Sequence, residues 1–340
     1  IPCPMISRRH FLRLSTVLAG SVAVSTALGG CQSARPRGLL SAARFEHGVA
    51  SGDPGVDSVL LWTRATPAAG ESALDLSWEL AADSAFERVI RRGEVRADAG
   101  RDYTVKVDVR DLEPGTEYFY RFAARDSVTA VGRSKTLPAA GVQQVRLAVF
   151  SCSNYPAGHF HVYREGSRVA DLDAFLHLGD YLYEYGAGGY ATENAAQLGR
   201  SLPADNAGEL YSLADYRKRY ALYRTDPDLQ AMHAAAPCIA VWDDHEVAND
   251  AWRDGAENHS SGEGDWGERK LAALRAWYEW LPVRPPVAEG NEQIYRGFDF
   301  GDLLSLHMLD TRIIGRDRQL ESRDYVDSAT GAMDQDRFRA

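Results

Sequence analysis

The chain has 340 residues, 45% hydrophobic and 25% charged, with a formal net charge of -10 and a pI near 5.4. That composition excludes disordered and fibrous classes and leaves room for two globular domains. The acidic balance argues against a nucleic-acid-binding surface, which needs Lys and Arg, so a phosphorylated ligand would require metal cations to supply the local positive charge.

Residues 1–33 read as a targeting segment and stand apart from the fold. "SRRHFL", with Arg8 and Arg9, is a twin-arginine pattern, and the uncharged run 14–30 is too short and too rich in Gly, Ser and Ala for a good membrane span. "LGGC" then reads as a lipoprotein cleavage box that makes Cys31 the lipidated first residue, the alternative being a plain signal peptide with an incidental cysteine. Residues before Met5 read as upstream translation. The expectation is export by the twin-arginine translocase to the periplasm or outside, with a lipid anchor holding the protein to the membrane. Only Cys152 and Cys238 then remain in the mature body, too few for a disulfide framework.

Residues 44–138 carry short alternating or β-branched runs, "SVLLWTRAT", "LDLSWELAA", "YTVKVDVRDL" and "EYFYRFAAR", separated by "GDPG", "DAG" and "EPGTE". This is the pattern of an all-β sandwich. "LEPGTEYFYRF" resembles the late-strand signature of fibronectin type III domains, with Tyr118 or Tyr120 as the tyrosine-corner residue. Glu46 and His47 read as structural.

From residue 145 to 340 the design changes to a layered α/β domain. Apolar strands end in polar groups four times: "LAVF" before Cys152, "FLHLG" before Asp180, "IAVW" before Asp244 and His245, and "LHML" before Asp310 and Arg312. Helices are expected at 213–224 and 268–280. Ligands gathered at strand C-termini fit a site at a sheet edge. In Gly-Asp, the glycine lets the chain turn so that Asp180 can face two cations, and Tyr183 can return to the same site; a surface cluster of Tyr181, Tyr183 and Tyr185 fits the spacing equally well. Cys238, His177 and His307 read as buried core groups. Asp243 and Glu246 read as groups orienting His245 or a metal water, with Asn249 or Asp250 able to reach a cation.

"GVASGDPGVDSVLLWTRATP", "FSCSNY", "HLGDYLYEYG", "WDDHEVAND" and "LDTR", in this order, resemble the PhoD-like alkaline phosphatases, bacterial members of the metallophosphoesterase superfamily. The resemblance implies hydrolysis of phosphate mono- or diesters for phosphate acquisition, with metal-activated hydroxide as nucleophile. It implies Cys152, Asp180 and Tyr183 as ligands of a ferric ion (Fe3+), with Asp180 bridging to calcium, Asp244 on the second metal, and His245 on the phosphate or leaving oxygen. Arg312 is a candidate phosphate clamp, and an ion pair to Asp310 is its structural alternative.

The family's phosphoesterase domain continues past the "LDTR" segment to a Gly-Asp-x-His type motif, absent after Arg312 here. The α/β domain is therefore expected to be incomplete and this chain weakly active or inactive. Two alternatives remain in view: a phospholipase D-type diesterase, and a non-catalytic surface lipoprotein on a degenerate phosphatase scaffold.

Overall fold

The computed structural model describes residues 40–68, 70–286 and 292–339. The targeting segment and Cys31 lie outside the described residues.

The N-terminal half contributes β1 (Ala43–Arg44), β2 (Val49–Gly52), β3 (Val59–Arg64), β4 (Thr66–Pro67), β5 (Ala73–Ala81), β6 (Val89–Asp98), β7 (Thr104–Val109), β8 (Glu117–Ala123) and β9 (Gly132–Lys135). Alternation decides which face is buried: in β5, Leu74, Leu76, Trp78 and Leu80 point inward while Asp75, Ser77 and Glu79 do not. Strands β6-β5-β8-β9 form an antiparallel sheet whose inner face shares a core with Val59, Leu61, Val105 and Val107 of β3 and β7. The Glu113 N–H donates to the Tyr118 hydroxyl oxygen at 3.0 Å, so the tyrosine corner is at Tyr118.

The second sheet does not stop at the sandwich. Its order is β10 (Leu147–Phe150), β11 (Ala174–His177), β12 (Cys238–Ala240), β2, β3, β7, parallel from β10 to β2 and antiparallel from β2 to β7. The junction is one parallel pairing, Cys238 with Gly52. A Cβ on Gly52 would lie 2.2 Å from the Pro282 carbonyl oxygen and 2.7 Å from that of Cys238, so only glycine fits.

Helices α1 (His161–Ser167), α2 (Leu213–Arg224), α3 (Pro227–Ala235) and α4 (Trp266–Trp280) enclose the α/β core, and short α5 (Ser322–Tyr325) and α6 (Gln335–Arg339) follow. A capping box between Ser212 and Asp215 starts α2 at the expected residue. Helix α4 begins two residues before the expected start because the Asp265 carboxylate caps the Glu268 N–H at 2.9 Å.

The fourth strand differs from expectation. β14 (Leu304–Met308) pairs antiparallel with β13 (Arg296–Phe300) in a separate two-stranded sheet, because the turn at Gly301, φ +61°, closes a local hairpin. His307 is exposed, not buried as its leucine neighbours suggest: Leu306 and Met308 take the inward face and leave His307 on the outer one.

Asp53 ties this hairpin to the large sheet. It is 2% exposed, and its carboxylate accepts from the Arg284 N–H at 2.7 Å and from Arg296 Nη2 at 2.7 Å and Nε at 3.1 Å. Removing one partner of a buried ion pair costs about 3–5 kcal/mol. Asp53→Ala is expected to lose stability of that order in urea unfolding, with Asp53→Asn losing less.

His47 and His177 are buried, and burial pushes both from 6.5 to about 3, with Arg64 and Arg224 adding to the effect at His47. Between these values the unfolded chain binds protons that the folded chain does not. Their contribution is therefore complete above pH 6.5 and is lost as pH falls towards 3. Unfolding midpoints measured from pH 7 to 4 should show a shallower acid slope in His47→Gln than in the wild type.

Candidate metal centre

His177 and Ala240 are paired neighbours at the C-terminal ends of β11 and β12, so the turns that follow leave the sheet side by side. Gly179 stands at φ +105°, and a Cβ there would lie 2.3 Å from the Asp243 backbone nitrogen. Asp180 (φ 53°) and Cys152 (φ 60°) also adopt left-handed backbone, at a cost on the order of 1–3 kcal/mol each. The Cys152 N–H donates to the Gly179 carbonyl at 3.1 Å and the Ser153 N–H to that of Asp180 at 2.7 Å, which extends the β10–β11 register into the site.

One ligand atom each from Asp180, Asp244 and His245 lies within 4.8 Å of the other two. Tyr183 donates its hydroxyl to Asp180 Oδ2 at 3.2 Å, and Cys152 Sγ is 3.4 Å from the same oxygen. Sequence expectation and structure therefore bring Cys152, Asp180, Tyr183, Asp244 and His245 together. Asp180 Oδ1 is buried with no partner among the described residues. Burial pushes the Asp180 carboxyl up to about 6; His245 opposes this, and Asp244 and Asp243 add to it. Burial and the Asp180 charge also raise the exposed Cys152 thiol. An orphaned carboxylate oxygen beside a second carboxylate, an imidazole, a phenol and a thiol is a donor set that fits a cation.

Glu184 was not among the residues singled out in the sequence. It is fully buried, and Oε2 lies 2.8 Å from His245 Nδ1, while Oε1 accepts from the Asn249 N–H at 2.7 Å and Asn258 Nδ2 at 2.8 Å. With Nδ1 engaged, Nε2 is the His245 nitrogen left for the cluster. Burial alone would lower the His245 pKa, but Glu184, Asp180 and Asp244 outweigh it and hold it near 9. The Tyr183 ring stacks on the imidazole at 4.2 Å. The available signal for Glu184 was a carboxylate set between two tyrosines four residues after Asp180.

Glu246, also fully buried, accepts from the N–H groups of Asp180 (3.1 Å), Tyr181 (2.6 Å) and Asp243 (2.8 Å). Burial and Asp180 push its carboxyl up, and these three donors pull it back. It holds the Asp180 turn, and with it the residue before Asp244.

Asn249 turns its amide to Glu257 Oε2 at 2.8 Å and serves Glu184 through its backbone. The Asp250 N–H donates to Asp244 Oδ2 at 2.5 Å. Arg312 does not pair with Asp310, which caps the N–H groups of residues 312–314. Its guanidinium forks onto Asp243, with Nε to Oδ1 at 2.5 Å and Nη2 to Oδ2 at 3.1 Å, and Nη1 lies 3.3 Å from Asp250 Oδ1 and 3.5 Å from Asp244 Oδ2. Cys238 is a buried core thiol, and His177 is buried with Nε2 2.9 Å from the Tyr163 hydroxyl. Tyr181 is buried against His233 at 2.8 Å, so the tyrosines of this segment are not a surface cluster.

The PhoD-like phosphatase family model matches residues 147–338, and the model of that family's N-terminal domain matches residues 30–138. The chain belongs to the PhoD-like phosphatase family. It is 37% identical over 319 residues to alkaline phosphatase D of Bacillus subtilis (strain 168), which covers 90% of this chain and 53% of that protein. A solved structure titled "Structure of PhoD" superposes with a TM-score of 0.73 and 38% identity over 81% of this chain and 53% of that one. The chain thus spans about half the length of the relatives it matches. A fibronectin type III domain of human contactin 1 aligns at a TM-score of only 0.22 with 16% identity over 37% of the chain.

A cation that binds only the folded chain stabilises it by mass action, about 2.7 kcal/mol at a hundredfold excess over Kd. Titrating divalent or trivalent cations into chelator-treated protein is expected to raise the unfolding temperature, and Asp180→Asn to abolish the rise. An unchanged midpoint in the wild type would remove the metal assignment.

Proposed function

We propose that the chain carries the phosphate-ester-hydrolysing centre of an exported, metal-dependent alkaline phosphatase or phosphodiesterase that releases phosphate from organic esters. The observation that carries this reading is the convergence of Asp180, Asp244 and His245, with Asp180 Oδ1 buried and without a partner among the described residues.

In this reading Cys152, Asp180 and Tyr183 would hold iron as Fe3+ and Asp180 and Asp244 would hold calcium, whereas the Asn249 amide, expected to reach a cation, is turned to Glu257. Bound cations would supply Lewis-acid polarisation of the phosphoryl oxygens and lower the pKa of water. His245, held through Nδ1 by Glu184, would donate a proton from Nε2 to the leaving oxygen. Glu184 fixes the ring in that orientation, and Tyr183 covers one face of it. Arg312 holds a phosphoryl oxygen by exchanging one of its carboxylate partners for substrate. Asp243 anchors Arg312, and the Asp250 N–H orients Asp244.

Twin-arginine export and a lipid anchor at Cys31 would place this activity outside the cytoplasmic membrane, where organic phosphate esters are met. The net charge of -10 argues against a nucleic-acid partner, and for a phosphate ester the bound cations would supply the local positive charge.

Turnover of p-nitrophenyl phosphate or its bis ester by the purified chain, expected to be weak because the chain spans about half the length of its relatives, should fall to background on chelation and return with added metal. Asp180→Ala and His245→Ala are expected to remain at background. The ratio of the two substrates separates monoester from diester preference. Turnover that is indifferent to both chelation and Asp180→Ala would overturn the proposal.

A further inference from the structure

We infer that Arg219 of α2 is a positioning residue for the catalytic site, holding the segment 183–185 from behind so that Tyr183 and Glu184 meet Asp180 and His245. The proposal rests on the phosphoesterase reading and adds a residue that contacts none of the reacting groups.

Arg219 is 1% exposed, and its guanidinium is spent entirely on uncharged oxygens. Nη1 donates to the carbonyls of Tyr183 at 2.6 Å and Tyr185 at 2.9 Å. Nη2 donates to the carbonyls of Asn206 and Gly208, both at 3.1 Å, and Nε to Asn206 Oδ1 at 3.0 Å. Its ion pairs among the described residues include no carboxylate, unlike Arg217 two residues earlier, which forks onto Glu279.

Burying a cation without a counter-charge is costly, and five donors in a fixed plane are its compensation. What those donors fix is informative. The carbonyls of Tyr183 and Tyr185 flank Glu184, so one side chain sets the backbone on both sides of the carboxylate that holds His245 Nδ1. The Leu210 N–H donates to the Glu184 carbonyl at 3.1 Å, so the middle peptide is held by a neighbouring segment too. Tyr183 Oη then reaches Asp180 at 3.2 Å and its ring covers His245 at 4.2 Å. A lysine could offer three donors from one point and could not span both carbonyls together with Asn206 and Gly208.

The experiment compares Arg219→Met, Arg219→Lys and Arg217→Met in the full chain, with the folded fraction fixed by unfolding curves. Arg219→Met is expected to lower kcat on the bis-p-nitrophenyl ester about 10–100-fold with little change in KM, as for other residues that orient catalytic groups through a neighbour. Arg219→Lys should fall between it and the wild type. Millimolar guanidinium ion should recover part of the loss in Arg219→Met and none in Arg217→Met, whose kcat should stay at the wild-type value.

A second readout does not need turnover. In 15N-histidine-labelled protein the Nδ1 proton of His245, bonded to Glu184, should give a downfield resonance in the wild type and Arg217→Met that moves or broadens in Arg219→Met. If the wild type shows no chelator-sensitive turnover, kcat does not report and this resonance alone decides the role of Arg219. If Arg219→Met does not fold, Arg219→Lys carries the comparison. A folded Arg219 variant with unaltered kcat and an unmoved His245 resonance overturns the inference.

Discussion

Three main-chain N–H groups converge on the buried carboxylate of Glu246, and the geometry of the site depends on that convergence. Two of the donors belong to the turn after β11 and one to the turn after β12. The first turn presents Asp180 and the second leads into Asp244 and His245. Held separately, two turns with left-handed or glycine-dependent backbone would drift by more than the distances that matter at a metal centre. Held by one carboxylate, they place ligand atoms from three residues within 4.8 Å of one another. Gly179 is the steric half of the same device, since any side chain there would enter the Asp243 peptide.

Around this staple most of the carboxylates have a cationic or N–H partner. Asp243 has Arg312, Glu184 has His245 and two amides, and Asp244 has the Asp250 N–H together with the edge of Arg312. Asp180 Oδ1 is buried with no hydrogen-bond partner among the described residues. Behind the site, Arg219, Arg224 and Arg269 bring full positive charges into the interior, and helix α2 presents Tyr216, Tyr220 and Tyr223 to the core in place of an aliphatic stripe. The face that carries Asp180, Asp244 and His245 is thus backed by a polar, hydrogen-bonded interior, which fixes orientation better than apolar contact does.

Much of this was legible before any coordinates. The alternation in β5, the apolar run before Asp244, the helix at 213–224 and the ordered motifs from Cys152 to His245 each carry a local physical signature, and the structure assembles them as that signature implies. What was not legible depends on partners distant in the chain. Glu184 looks like part of an aromatic run until Asn249 and Asn258 arrive from 65 and 74 residues away. Arg312 sits two residues from Asp310, yet its fork selects Asp243 because Asp310 is taken up by the backbone that follows it. The hairpin of β13 and β14 read as one more strand of the main sheet, since a run such as "LSLHM" shows its period and not its partner. Continuity of the large sheet through β2 was equally invisible, for a single pairing between Gly52 and Cys238 leaves no mark on either sequence.

That pairing has a consequence for how the protein comes into being. Strand β2 needs both β3, which follows it closely, and β12, which is encoded far downstream. At ribosomal rates of 5–20 residues per second, Cys238 emerges roughly 10–40 s after Gly52. During that interval the nascent sandwich carries one sheet whose inner strand is still an open edge, with unpaired amides and carbonyls available to any passing strand. The N-terminal half can therefore collapse early but cannot be finished early, and chaperone occupancy of the growing chain should persist until the third parallel strand has been made.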